Sequence, residues 1–329
     1  MEHDRWNGRA VDVGCEYRRP CTQKPAGVGA PRALRPVLII GASPNSPAAS
    51  APIPVTDTRI AALLEGRLHE PHAFLGAHPQ SGGYVARHYD PNASRASART
   101  ASGYEPMTRV ADGLFEWRGP KMPSVPLQVR ADYPGGASAE TVSPYAFPPA
   151  LSDHDLYLFN EGRLTQGWTM LGAHVIDRDG VRGVSFACWA PNAERVSVVG
   201  DFNHWDGRCH PMCSRGASGV WELFVPGLAS ETLYKFEIRN RASGEVMIKA
   251  DPYGRSFELR PGTAARVTAA PAHEWGDTAW MSARAERDWL HGPLNIYEML
   301  AGSWRRHPAG RFYSYRELAE HLVPYVLDM

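Results

Sequence analysis

Alternation of apolar and polar positions is clearest between residues 184 and 239. VSFACW (184–189) and RVSVVG (195–200) alternate, and YKFEIR (234–239) sets Tyr234, Phe236 and Ile238 against Lys235, Glu237 and Arg239. This period of two marks half-buried strands. VWELFV (220–225) supplies another run, and Gly, Pro and Asn separate the runs at the spacing of a β-sandwich. A short helix near 57–65 is predicted to stop at Gly66. Towards residue 329 the period changes: Ser314 and Glu317 have the spacing of a capping box, and Leu318, Leu322, Tyr325 and Val326 share one helical face. Just upstream, PLNIYEML (293–300), closed by Ala301-Gly302, reads as a buried strand. Strand and helix together make the first half of a βαβ unit.

The chain also repeats itself. EGRL occurs at 65–68 and 161–164, and LGAH at 75–78 and 171–174, both with an offset of 96. PNASRAS (91–97) returns as PNAERVS (191–197) at an offset of 100, and Pro144-Tyr145 and Pro252-Tyr253 close the two copies. Two related modules of similar size are therefore expected, the first folding like the second.

Charge narrows the functions open to such a fold. Lys+Arg 35 balances Asp+Glu 35, so the chain lacks the basic excess of a non-specific nucleic-acid or anionic-membrane binder. Neither nucleic acid nor membrane is an expected partner. The five cysteines, Cys15, Cys21, Cys188, Cys209 and Cys213, are odd in number and irregularly spaced, which implies no disulfide framework and suits a reducing cytoplasm. MEHDRWNGRA has no basic segment before an apolar core, and VLII (37–40) is too short to span a bilayer. Residues 1–55, rich in Pro, Ala, Arg and Ser, read as a disordered tail.

Candidate chemistry concentrates in CWAPNAERVSVVGDFNHWDG (188–207). Asn203 and Trp205 fall where the chain turns after a strand, which sets an amide beside an aromatic plane. A sugar ring has an apolar C–H face and a rim of hydroxyls, and such a pair meets both. Trp189, inside an alternating strand, is expected in the core. His204, Cys209, His210 and Cys213 lie close together, but their spacing matches no familiar zinc site. Of His69, His72 and His78, only His78 has a counterpart in the second copy, His174, and a turn or packing role is expected for it.

At these residues the chain resembles bacterial 1,4-alpha-glucan (glycogen) branching enzymes. WAPNAERVSVVGDFNHWDG, LYKFEIRNRASGEVMIKADPYGR, IYEMLAGSW and YRELAEHLVPYVLDM look like successive landmarks of that family, over roughly residues 57–329. The resemblance implies a mostly β chain: two immunoglobulin-like β-sandwich modules, the second a family-48 carbohydrate-binding module, followed by the first βα unit of a truncated (β/α)8 barrel. The expected layout is a tail at 1–55, modules at 56–150 and 151–262, a connector at 263–292 and the barrel start at 293–329.

The implied activity is cleavage of an α-1,4 bond and transfer of the freed segment to a 6-hydroxyl in glycogen synthesis, by two carboxylates and with no metal or organic cofactor. Those carboxylates would lie beyond Met329, so no catalytic residue is assigned and the chain alone is expected to be inactive. The partners implied are α-glucans: glycogen, amylose and maltooligosaccharides. Trp205 and Lys235 match the module's binding positions. The chain departs from the family at Leu300, where branching enzymes commonly carry histidine, and at Ile248-Lys249, where tight glycogen binders have a second tryptophan. A free-standing glucan-binding or regulatory module is the alternative reading, and a debranching or trehalose-releasing relative a third.

Overall fold

The computed structural model describes residues 57–269 and 273–329. The expected tail, with Cys15 and Cys21, lies outside the described residues. The first copy opens with α1 (Thr58–Leu64), capped by the Asp57 carboxylate, which accepts from the Arg59 amide. Its strands are β1 (Gly76–Gln80), β2 (Gly83–Tyr89), β3 (Arg95–Thr100), β4 (Gly103–Pro106), β5 (Thr108–Ala111), β6 (Leu114–Gly119), β7 (Gln128–Asp132) and β8 (Ser138–Val142). They form two sheets, ordered β1-β2-β6-β5 and β4-β3-β7-β8. Ala86, Phe115 and Trp117 of one sheet meet Ala96, Ala98 and Val129 of the other in a shared core.

The second copy follows the same plan. After α2 (Asp153–Asn160) come β9 (Gly172–Arg178), β10 (Val181–Trp189), β11 (Ala193–Gly200), β12 (Cys213–Ser214), β13 (Val220–Pro226), β14 (Leu233–Asn240), β15 (Val246–Lys249), β16 (Ser256–Phe257) and β17 (Ala265–Arg266). The sheets are β12-β13-β10-β9 and β11-β14-β17-β16, with β15 also on β14. Val184, Phe186 and Leu223 face Val196, Val198 and Phe236 across the core. The chain is thus mostly β, with two successive sandwiches.

Each repeated tetrapeptide has a structural duty. The glycines of EGRL, Gly66 and Gly162, end α1 and α2 in the left-handed region at φ +64° and +67°. In LGAH the histidine bonds the carbonyl three residues back: His78 Nε2 lies 2.8 Å from Leu75 O, and His174 Nε2 lies 3.0 Å from Leu171 O. The closing tyrosines pack where those motifs carry glycine. A Cβ on Gly76 would meet Tyr145 at 3.0 Å, and one on Gly172 would meet Tyr253 at 3.3 Å.

Contacts between the sandwiches come mostly from the end of the first copy. The Tyr145 hydroxyl reaches the carbonyls of Cys209 (3.4 Å) and Pro211 (3.3 Å), and the Phe147 ring meets Phe224 edge-on at 4.9 Å. The buried Glu222 carboxylate accepts the amides of Ala150 (2.7 Å) and Leu151 (3.1 Å) and pairs with Arg215. A carboxylate so enclosed needs that full set of partners.

Three expectations need correction. Trp189 is 56 % exposed, because in β10 positions 184, 186 and 188 point to the core and 189 has the opposite parity; its ring meets Phe159 of α2 edge-on instead. The second sandwich runs past the expected boundary at 262: Ala264, Ala265 and Val267 are buried, and β17 pairs with β14. PLNIYEML is not a strand. No strand pairs with it among the described residues, and Leu294, Ile296 and Leu300 are exposed; an apolar run becomes a strand only where another supplies hydrogen bonds.

The helix after it does form. Following α3 (Thr278–Glu286), α4 (Tyr315–Asp328) starts at the Ser314–Glu317 capping box and contains Pro324. Of its predicted face, Leu318 is buried, Leu322 and Tyr325 are half-buried, and Val326 is exposed. Tyr325 packs edge-on against Tyr297 and Trp304.

Candidate functional site

The outer face of the second module carries the predicted residues. Register pairs Val199 with Lys235 between β11 and β14, and Glu237 with Ile248 and Arg239 with Val246 between β14 and β15. Directly paired residues share a face. Tyr234 and Phe236 therefore enter the core, while Lys235, Glu237, Ile248 and Val246 form an outward surface on which Ile248 is 50 % exposed.

Over one end of this surface lies the loop after β11. Asp201–Asn203 make a 3-10 turn, and His204 and Trp205 then follow in the left-handed region at φ +54° and +61°. For residues other than glycine each such conformation costs about 1–2 kcal/mol, so the loop must be held. The Trp205 amide bonds Gly200 O at 3.0 Å, and its indole N–H bonds Asp201 Oδ1 at 2.9 Å. Asn203 is buried: its Oδ1 accepts from the Gly200 amide, and its Nδ2 donates to Val198 O and His210 Nδ1, each at 3.0 Å. Beneath the loop, the Arg195 guanidinium is 2 % exposed, donates to Gly207 O at 3.1 Å and pairs with Glu237 at 2.5 Å.

Trp205 is thereby left partly exposed, its N–H spent inside the loop and its ring free to meet a ligand. Lys235 Nζ stands 5.9 Å from the ring centroid and donates to Thr263 Oγ1 at 2.6 Å. The structure therefore brings Trp205 and Lys235 together, but it turns Asn203 inward, where its buried amide holds the loop and is out of a sugar's reach. Val246 and Glu237 escaped the sequence reading as site residues. The outward parity of Glu237 was readable in the alternation of YKFEIR, whereas Val246 opens the apolar run VMI, and the nearness of both to Trp205 depends on how the loop folds back.

A separate cavity of about 530 Å³ lies between the sandwiches, lined by His88, Asp90, Tyr133, Tyr145 and His210 among others. Burial, helped by repulsion from His88 and opposed by Asp90, lowers the His210 pKa to about 4. The neutral ring keeps the Nδ1 lone pair that accepts from Asn203. His204, Cys209, His210 and Cys213 do not converge: among the described residues no group of three or more His, Cys, Asp or Glu could hold a metal ion. Also among them, no helix is long and apolar enough to cross a membrane.

With this geometry in view, similarity to known proteins is informative. Residues 56–145 match the family "alpha-1,4-glucan branching enzyme GlgB, N-terminal domain", and residues 170–254 match "Carbohydrate-binding module 48 (Isoamylase N-terminal domain)". The chain is 55% identical over 278 residues to the 1,4-alpha-glucan branching enzyme GlgB of Nitrosospira multiformis, an alignment covering 83% of this chain and 37% of that protein. It is 53% identical over 274 residues to that of Methylobacillus flagellatus (83% and 38% covered) and 46% identical over 274 residues to that of Rubrobacter xylanophilus (82% and 37%). The chain thus spans a little over a third of the length of these relatives. Both modules and the relatives agree: over the matched residues the chain is similar to the N-terminal portion of 1,4-alpha-glucan branching enzymes.

Proposed function

We propose that this chain is the glucan-holding front part of a glycogen branching enzyme. Its modules, 56–150 and 151–267, hold an α-1,4-glucan for an enzyme that moves segments onto 6-hydroxyls, and the second module makes the contact. Trp205 offers its ring to the C–H face of a glucose unit, Lys235 donates to hydroxyls beside it, and Asn203 positions the loop from below. The ligands are glycogen, amylose and maltooligosaccharides. The free thiols Cys188, Cys209 and Cys213 suit a cytoplasmic setting.

The observation that carries this reading is the pair of left-handed residues His204 and Trp205. Strain at two adjacent positions, held by bonds to Gly200, Asp201 and Asn203, keeps an indole at the surface beside a lysine; such strain gathers at functional sites. Retention on immobilised glycogen tests it. Trp205→Ala should lower affinity roughly ten-fold, the worth of a lost aromatic platform, and equal retention of both forms would discount Trp205. The 329-residue chain should bind without branching, and new α-1,6 linkages formed from amylose would refute that part.

A further inference from the structure

The first module also reaches the Trp205 surface. An open groove of about 450 Å³ runs from Trp205 to the end of α1, lined by Leu64 and Glu65 on one side and by Arg208, Glu237 and Val246 on the other. The walls come close at Gly66, where an added Cβ would lie 3.6 Å from the Arg195 guanidinium and 3.8 Å from Arg208 Cγ.

Two features fix this wall in place. Leu63 of α1 is fully buried in a small core that includes Leu68 and Leu114, and Cys209 of the Trp205 loop packs against the same core. Glu194 then bridges the modules, taking Arg67 of the first at 3.0 Å and Arg239 of the second at 2.9 Å. The α1 turn and the tryptophan loop therefore keep a constant separation, as a preorganised site requires.

The lining suits a sugar chain. Leu64 and Val246 can meet C–H faces, while the carboxylates of Glu65, 58 % exposed, and Glu237, 15 % exposed, can accept hydroxyl protons and Arg208 can donate. We infer that this groove is a second glucan subsite, shared between the modules, in which a linear α-1,4-glucan bound at Trp205 continues to the end of α1. The inference rests on Trp205 being a glucan platform. It makes the pair of modules a reader of chain length: short oligosaccharides touch Trp205 alone, and longer ones also touch Glu65.

Calorimetric titration of the intact chain with maltotriose and maltoheptaose tests this. Glu65→Ala should weaken maltoheptaose about three- to ten-fold, the worth of one or two hydrogen bonds, and leave maltotriose unchanged. An unchanged ratio of the two affinities overturns the subsite. Hydrogen exchange provides a readout free of substitution: maltoheptaose should slow amide exchange across residues 64–67, and no slowing in the saturated complex also overturns it. Trp205→Ala separates the two readings, since it should weaken both oligosaccharides. If it weakens neither, the platform at Trp205 fails and the continuation from it is overturned as well, whereas loss of both oligosaccharides in Trp205→Ala with an unchanged ratio in Glu65→Ala overturns the groove alone.

Discussion

β3 and β11 occupy matching places in the two copies, yet the chain leaves them differently. After β3 it turns at Ala101-Ser102 straight into β4, which pairs back on β3. After β11 it wanders through the tryptophan loop and pairs with β11 again at the Ser197–Pro211 bridge, where the Val198 amide also bonds His210 O at 3.2 Å. Both routes rejoin the core at the same point: the Met107 amide bonds Ala96 O and the Met212 amide bonds Val196 O, each at 2.8 Å, and both methionines are buried. Between those anchors the second copy has five more residues than the first. The surface proposed to hold glucan thus differs from the first copy by one lengthened hairpin on the same sandwich plan, as expected where loops vary and strands carry stability.

Arg95 and Arg195 sharpen the contrast most. They are equivalent in the repeat, but Arg95 is exposed on β3 while Arg195 is sealed beneath the loop with Glu237. Arg195→Ala leaves a largely enclosed carboxylate without its partner and should cost about 3–5 kcal/mol. Arg95→Ala should stay within about 0.5 kcal/mol. Urea unfolding of both variants measures the gap, and equal costs would mean that the loop does not depend on its buried pair.

His210 offers a smaller and pH-dependent test, because the first copy has no counterpart to its bond with Asn203. Its pKa is about 4 when folded and near the ordinary 6.5 when unfolded, so between these values the unfolded chain binds more protons. Stability should therefore fall as pH drops from 6.5 to 4, by no more than about 3 kcal/mol, with no further loss from this group below 4. Thermal melts across that range should show the slope in the wild type and a shallower one in His210→Gln; identical slopes would remove His210 from the balance.

The smallest effect tests what the copies share. His78→Ala and His174→Ala each remove one bond to a leucine carbonyl and should each cost about 1 kcal/mol. Urea midpoints that differ widely would show that the repeated motif no longer does the same work in both sandwiches.

Much of this fold was legible in the residues. Alternation located β10, β11, β13 and β14, the repeat announced a second sandwich, and Ser314 with Glu317 marked the start of α4. Trp205 stands out in the sequence as a tryptophan among turn residues, and its partial exposure beside Lys235 accords with that reading. Asn203 was harder: a turn amide either faces water or folds inward, and its bonds to Gly200, Val198 and His210 in the folded loop decide which. Trp189 was misread although parity from Val184 would have placed it outside. PLNIYEML misled because apolar composition records what a segment would bury, whereas a strand exists only through its neighbour. Glu65 gave no local sign, since its place beside Trp205 is set by the packing of one module on the other.

Tyr145 belongs by sequence to the first copy, yet its hydroxyl touches the carbonyls of Cys209 and Pro211, where the tryptophan loop returns to its sheet. The unit that could be recombined into another enzyme is therefore larger than the second sandwich. A splice made at residue 151 would carry away the indole and the lysine but leave behind the ring on which the loop's far end rests. Domain exchange within this fold should put its joint ahead of Tyr145, and a graft that ignores it would transplant Trp205 and Lys235 without part of their support.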